Sequence, residues 1–256
     1  MPTASRRYIQ LMWQKIRRQF WPEKTLRDDF VARIRCAVAG EGMLAEGNIF
    51  CFDYAIRHLP LEGTVLEIGS FGGMSTNVIA ALLRKHGKQR PFFTCDPWRY
   101  EGFYDKIRSG DVHYMNHVDG SDSITRAEYT DFIRDSFVRS TRFFSRDVLP
   151  HTLQMASDDF FEAWSKRENH QDIFGNRAQL GGPLAFCYVD GNHEYEQARR
   201  DAENALEFLV PGGWLLLDDS ADHLAFGSVR VARELCRRTD LKLVLKNPNY
   251  LFQKIE

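Results

Sequence analysis

The chain has 256 residues, of which 43% are apolar, and a formal net charge of −1. Such a length and apolar content suit one large α/β domain with a sizeable core. Near-neutrality excludes the global basic field expected of a binder of nucleic acid or anionic membranes, and the absence of any apolar run of about 18 residues excludes a spanning helix.

Cys36, Cys51, Cys95, Cys187 and Cys236 form no C-x-x-C pair. They fit reduced thiols in a cytoplasmic protein, as does an N-terminus without the apolar core of a signal peptide. Residues 1–47 read as a helical arm and loop ahead of a domain spanning 48–256. Arg6, Arg7, Lys15, Arg17 and Arg18 precede the first acid, Glu23, with Tyr8, Leu11, Met12, Trp13, Ile16 and Phe20 interleaved at helical spacing. A helix packed on the domain or on a second copy of the chain is expected, and a membrane-surface arm is the alternative. A second helical run covers 26–38, and 40–47 is a glycine-punctuated loop. Asn48 is placed to cap a helix whose stripe of Ile49, Phe52, Ile56 and Leu59 ends at Pro60.

Residues 64–76, TVLEIGSFGGMST, read as strand, glycine turn and helix. Val65, Leu66 and Ile68 suit a buried strand, Glu67 lies near its end, and Gly69, Gly72 and Gly73 let the backbone come close to a ligand. The glycine spacing departs from the dinucleotide fingerprint. An acid inside the turn disfavours phosphate and suits a ligand with a cationic or hydroxyl-bearing part. The next apolar run, 92–96, ends at Asp96, which at the tip of a second parallel strand can accept from ribose hydroxyls or cap a helix.

The stretch 98–124 is long for a connection and rich in aromatics, including Trp98, Tyr100, Phe103, Tyr104 and Tyr114. With the helix after it, 97–150 forms a substrate-recognition insert or lid. His113 and His117 have the spacing of a helical metal pair, but nearby glycines disfavour a helix there. Thr125 and Glu128 form a capping box, followed by a helical stripe of Tyr129, Phe132, Ile133 and Phe137. A third strand over 152–156 leads through Ser157 and Asp158 into a helix bearing Phe160, Phe161 and Trp164, for which the polar pair can serve as an N-terminal cap. Residues 167–182 read as a loop.

A fourth buried strand, 184–190, ends at Asp190. His193 follows three residues later, ahead of a helix over 196–209. Pro211, Gly212 and Gly213 turn the chain into a fifth strand, 214–217, ending at Asp218 and Asp219. Neighbouring parallel strands present their carboxyl ends together, so Asp190, Asp218 and Asp219 converge. Three carboxylates in one place repel unless protonated or neutralised, and Mg²⁺ is the cation expected to resolve this. If the strand continues through both, Asp218 and Asp219 face opposite ways and only one is a ligand. His193 can act as general base, with His223 as a rival. The chain closes with a helix over 225–238, Cys236 in its core, and a hairpin of 241–245 with 250–255 around Asn247, Pro248 and Asn249.

The turn E-x-G-S-x-x-G-x-S-T resembles the first motif of the class I S-adenosylmethionine-dependent methyltransferases. It is similar to the branch of the macrolide-sugar O-methyltransferases and the cephalosporin-pathway methyltransferase, as is D-G-N-H-x-Y followed by P-G-G-x-x-x-x-D-D. The resemblance spans roughly residues 43–256 and departs at Asp218, where the family often has His or Glu. It implies a doubly wound seven-stranded sheet in the order 3-2-1-4-5-7-6 with the last strand antiparallel. It also implies S-adenosylmethionine bound by Glu67, Gly69, Ser70, Phe71, Gly72, Ser75 and Asp96, with Ser157 or Asp158 at the adenine and Met43 in the closing segment. Asp190, Asp218 and Asp219 would hold the metal and His193 would be the base. The expected activity is methyl transfer to a hydroxyl of a small molecule, a sugar or natural-product scaffold. No nucleic-acid partner is expected, and the N-terminal helices are a possible self-association surface. The alternatives are a metal-independent O- or N-methyltransferase and a non-catalytic subunit that binds the cofactor.

Overall fold

The computed structural model describes residues 23–39, 43–99, 117–118, 121 and 123–256. The basic segment before Glu23, His113 and most aromatic residues of the insert lie outside them. Two helices come first, α1 (Asp29–Ala37), with the Asp28 carboxylate accepting from the Phe30 and Val31 amides, and α2 (Glu46–Arg57). The expected cap at Asn48 is not made. The α2 helix begins earlier, after Ala45, and Asn48 is fully buried inside it.

Strand β1 (Thr64–Ile68), helix α3 (Met74–Lys85) and strand β2 (Phe92–Cys95) follow. Helix α4 (Arg126–Phe144) carries the predicted capping box between Thr125 and Glu128. Its Ile133 and Phe137 pack with Trp98, but Phe132, one position off that face, is 64% exposed, contrary to the stripe read from sequence.

Strand β3 (His151–Leu153) and helix α5 (Ser157–Ser165) lead to a feature that the sequence did not predict. Within 167–182, expected to be a loop, β4 (Asn169–Gln171) pairs antiparallel with β5 (Arg177–Gln179). The buried Asp172 carboxylate closes their turn by accepting from the Phe174 and Asn176 amides, an Asx-type local bond that substitutes for hydrophobic patterning. Three-residue strands are too short to show a period.

The chain continues with β6 (Leu184–Val189), α6 (Tyr195–Phe208), β7 (Leu209–Leu217), α7 (Gly227–Leu235), β8 (Leu241–Lys246) and β9 (Tyr250–Lys254). Cys236, expected in the core, is instead exposed just past the end of α7.

The main sheet has the order β3-β2-β1-β6-β7-β9-β8. Pairings are parallel from β3 through β7, and β9 runs antiparallel to both β7 and β8. This is the predicted seven-stranded topology, with helices on both faces. Val65, Phe186 and Leu216 point to the layer of α1, α2 and α3, whereas Leu66, Cys187 and Leu215 point to the layer of α5, α6 and α7. Adjacent strand residues face opposite ways, so a strand covered on both sides must be apolar throughout; β1, β2 and β6 are buried at every position. Among the described residues, no helix is long and apolar enough to cross a membrane.

Candidate active site

The parallel strands end on one side of the sheet, and there the glycine turn after β1 meets the tip of β6. Gly69 has φ +84°, and a Cβ on it would stand 1.9 Å from the Asp190 carbonyl oxygen. The two strand ends therefore touch through bare backbone, which only glycine permits. Above them lies a cavity of about 480 Å³, lined by the turn, Asp96, Trp98, Ser157, Asp158 and His193 among others.

Asp96 braces the turn. Its Oδ2 accepts from the Ser70 and Phe71 amides, each at 2.9 Å, and its Oδ1 from the Trp98 amide at 2.6 Å. Burial raises its carboxyl above the usual aspartate range, against the pull of the Phe71, Trp98 and Ser70 amides. No helix follows Asp96 among the described residues, so the capping alternative is not seen. The Trp98 indole Nε1 donates to the Phe71 carbonyl at 3.0 Å, tying the start of the insert to the same turn.

Glu67 does not line the cavity. It is fully buried behind the turn, where Oε2 accepts from the Thr76 hydroxyl and Oε1 has no hydrogen-bond partner. Burial pushes its carboxyl up to about 7, with the Ser75 and Thr76 hydroxyls pulling the other way. In the unfolded chain the group titrates near 4.5. The folded state therefore binds the proton more tightly, and stability is lost as pH rises from the unfolded to the folded value. At about 1.4 kcal/mol per pH unit the loss is about 3 kcal/mol. Urea unfolding of Glu67→Gln beside the unsubstituted chain is expected to show this as a difference that grows in the variant's favour between pH 4.5 and pH 8. Parallel pH profiles for the two proteins would refute it.

Ser70, Phe71, Gly72 and Ser75 line the cavity, with Ser70 Oγ buried and without a hydrogen-bond partner. Met43 also lines it, although 59% exposed. Across the cavity, Ser157 and Asp158 open helix α5. The capping residue is Ala156 and no side chain caps the helix, which removes the N-cap reading of that pair. Both accept instead from Gln197 Nε2 on α6, at 3.2 Å each, and Gln197 also donates to the buried Asp201. Gln197 lines the cavity and carried no signal in the sequence, since an amide in the first turns of a helix is unremarkable.

At the tips of β6 and β7, Asp190, His193 and Asp219 each bring a ligand atom within 4.8 Å of the others. His193 Nδ1 lies 3.2 Å from Asp219 Oδ2, and the Gly227 amide donates to the His193 carbonyl at 2.9 Å, holding the loop against the start of α7. Burial, reinforced by Asp218 and then Asp219, raises the Asp190 carboxyl well above the usual range. Asp219 is pushed up to about 6 by burial and by Asp218, against the pull of His193.

The structure does not bring Asp218 into this trio. Its carboxylate turns inward, 6% exposed, and accepts from Asn48, Asn249 and Tyr188. The two neighbouring aspartates diverge because β7 ends at Leu217 and Asp219 takes the left-handed conformation, φ +48°, which Asp tolerates better than most residues. Phe71 at φ +41° and Trp98 at φ +45° share it. The four non-glycine residues of positive φ among those described thus include three at this rim, where backbone strain commonly accompanies function. His223, the rival base, does not line the cavity.

A family model described as a methyltransferase domain matches residues 66–220, more than half of the chain. No curated protein matches it by sequence. Among solved structures, the calicheamicin methyltransferase CalS11 has a TM-score of 0.53 at 14% identity, over 90% of this chain and 95% of that one. The O-methyltransferase NovP has 0.51 at 14%, over 98% and 100%. TomG from Streptomyces achromogenes, an O-methyltransferase involved in tomaymycin synthesis, has 0.50 at 15%, over 96% and 99%. At such identities these likenesses speak for the fold, and the family match speaks for membership: the chain belongs to the methyltransferase-domain family, on the class I fold of the S-adenosylmethionine-dependent methyltransferases.

Proposed function

We propose that this enzyme transfers the methyl group of S-adenosylmethionine to a hydroxyl oxygen of a small molecule, with a divalent cation, Mg²⁺, held by Asp190 and Asp219 and with His193 as general base. The observation that carries the reading is that Asp190 and His193 line the cavity over the glycine turn, with Asp219 within 4.8 Å of both beside them.

The residues present fit both groups. For the cofactor, the turn offers backbone that no Cβ obstructs, and the buried Ser70 hydroxyl is left without a partner. TomG was solved in complex with the same compound. For the cation, two carboxylates with raised pKa beside a third form an oxygen-donor set that a hard divalent ion would relieve. When bound, the ion would lower the pKa of an acceptor hydroxyl.

The chain's own part follows from its geometry. His193 Nδ1 faces Asp219 Oδ2 at 3.2 Å, an ion-pair contact, so Nε2 is the nitrogen assigned to take the hydroxyl proton. The cavity walls would hold the acceptor against the cofactor's methyl group, and such positioning would supply much of the rate. Trp98, Tyr129 and Ile133 make the acceptor side apolar. CalS11, NovP and TomG are all named as O-methyltransferases, which supports oxygen as the target.

The test is S-adenosylhomocysteine formation with a panel of small vicinal diols. Turnover is expected with Mg²⁺, to be lost in EDTA and to return on adding Mg²⁺ back. Activity that survives EDTA would establish the metal-independent alternative. Tight cofactor binding without transfer to any acceptor would establish the non-catalytic one.

A further inference from the structure

Asp190 reaches the rim from the end of a buried strand, and its orientation needs a cause. Two residues earlier on the same face of β6 stands Tyr188, 0% exposed, its ring edge-on to Phe52 at 4.8 Å. Its hydroxyl lies 3.0 Å from Asp190 Oδ2 and 2.7 Å from Asp218 Oδ2.

Asp218 is itself fixed from two distant parts of the chain. Asn48 Nδ2 on α2 donates to its Oδ1 at 2.7 Å, and Asn249 Nδ2 at the start of β9 donates to the same oxygen. The two amides also bind each other, Asn249 Nδ2 to Asn48 Oδ1 at 3.0 Å. The α2 helix can come this near because residue 47 is glycine: a Cβ there would stand 1.8 Å from the Asn247 carbonyl oxygen. A buried polar group left unpaired is costly, and this cluster satisfies its members through one another.

We infer that Tyr188 is a positioning residue for the cation site. Its single hydroxyl proton, shared between Asp218 Oδ2 and Asp190 Oδ2, ties the Asp190 carboxylate to the Asn48–Asn249 anchor and holds it toward Asp219 and His193. On this assignment Asp218 is the anchor of a ligand, not a ligand. The inference rests on the cation-assisted reading above. Partners behind a metal ligand that fix its direction commonly change metal affinity by about 10–100-fold when removed.

The experiment titrates Mn²⁺, as a probe for the divalent site, into the full chain by calorimetry and compares Tyr188→Phe and Phe52→Leu. Tyr188→Phe keeps the ring in its packing and deletes only the hydroxyl. It is expected to weaken Mn²⁺ binding by about tenfold or more and to move the Mg²⁺ dependence of turnover upward by a similar factor, with S-adenosylmethionine affinity unchanged. Phe52→Leu loosens the same packing and is expected to lower Tm without altering Mn²⁺ affinity. Unchanged Mn²⁺ affinity in Tyr188→Phe would overturn the inference while leaving the cation reading intact. So would an equal loss in Phe52→Leu, which would trace the effect to packing alone. Absence of Mn²⁺ binding in the unsubstituted chain would overturn both.

Discussion

His193→Ala is expected to lower kcat by roughly 10²–10⁴-fold, the usual worth of a positioned general base, with no change in S-adenosylmethionine affinity. The imidazole lines the cavity with Nδ1 3.2 Å from Asp219 Oδ2, so its loss removes the proton acceptor and leaves the glycine turn untouched. His223→Ala is the matched control and is expected to be silent, since His223 does not line the cavity. Single-turnover rates, with and without added imidazole, check both. If His193→Ala keeps kcat at saturating Mg²⁺ and weakens Mn²⁺ binding instead, His193 serves as a ligand and the base lies elsewhere.

Asp96→Ala is expected to weaken S-adenosylmethionine binding by about a hundredfold, close to 3 kcal/mol. The side chain accepts three backbone amides, from Ser70, Phe71 and Trp98, and each buried donor left without an acceptor costs about 1–3 kcal/mol. Part of that loss falls on the turn in the free protein, and the rest on the ribose hydroxyls that the same carboxylate would receive. Asp96→Asn, which keeps acceptor oxygen on one side only, is expected to fall between. Calorimetric titration of the cofactor settles the order; affinity in Asp96→Ala within threefold of the unsubstituted chain would remove Asp96 from the cofactor site.

The frame was legible in the sequence because its signals are strong and local. Continuous apolar runs ended by an acid gave β2 and β6, the apolar run before the glycine turn gave β1, and the paired strands around Asn247 gave the antiparallel close of the sheet. Parallel topology then places strand tips together, which brought Asp190, His193 and Asp219 to one rim. Side-chain direction at an irregular position was not legible. Strand alternation suggested that Asp218 and Asp219 diverge, but which of them turns inward depends on the left-handed backbone of Asp219, and no propensity specifies that. Asn48 carried a strong cap signal and was drawn into a polar cluster assembled from Asp218, Tyr188 and Asn249, a tertiary demand that outweighs local preference. Gln197 was missed for a similar reason: its partners Ser157 and Asp158 are about 40 residues away in the chain, and only packing of α6 on α5 joins them.

The cluster around Asp218 also bears on how the molecule is made. Asn48 and Asn249 are separated by 201 positions, so the first is synthesised well before the second. The sheet's central parallel strands are all synthesised before Asn249, yet the carboxylate at their rim has only part of its donor set until the final hairpin inserts β9 beside β7. In synthesis order the scaffold strands therefore precede the donor that completes the cluster behind the site.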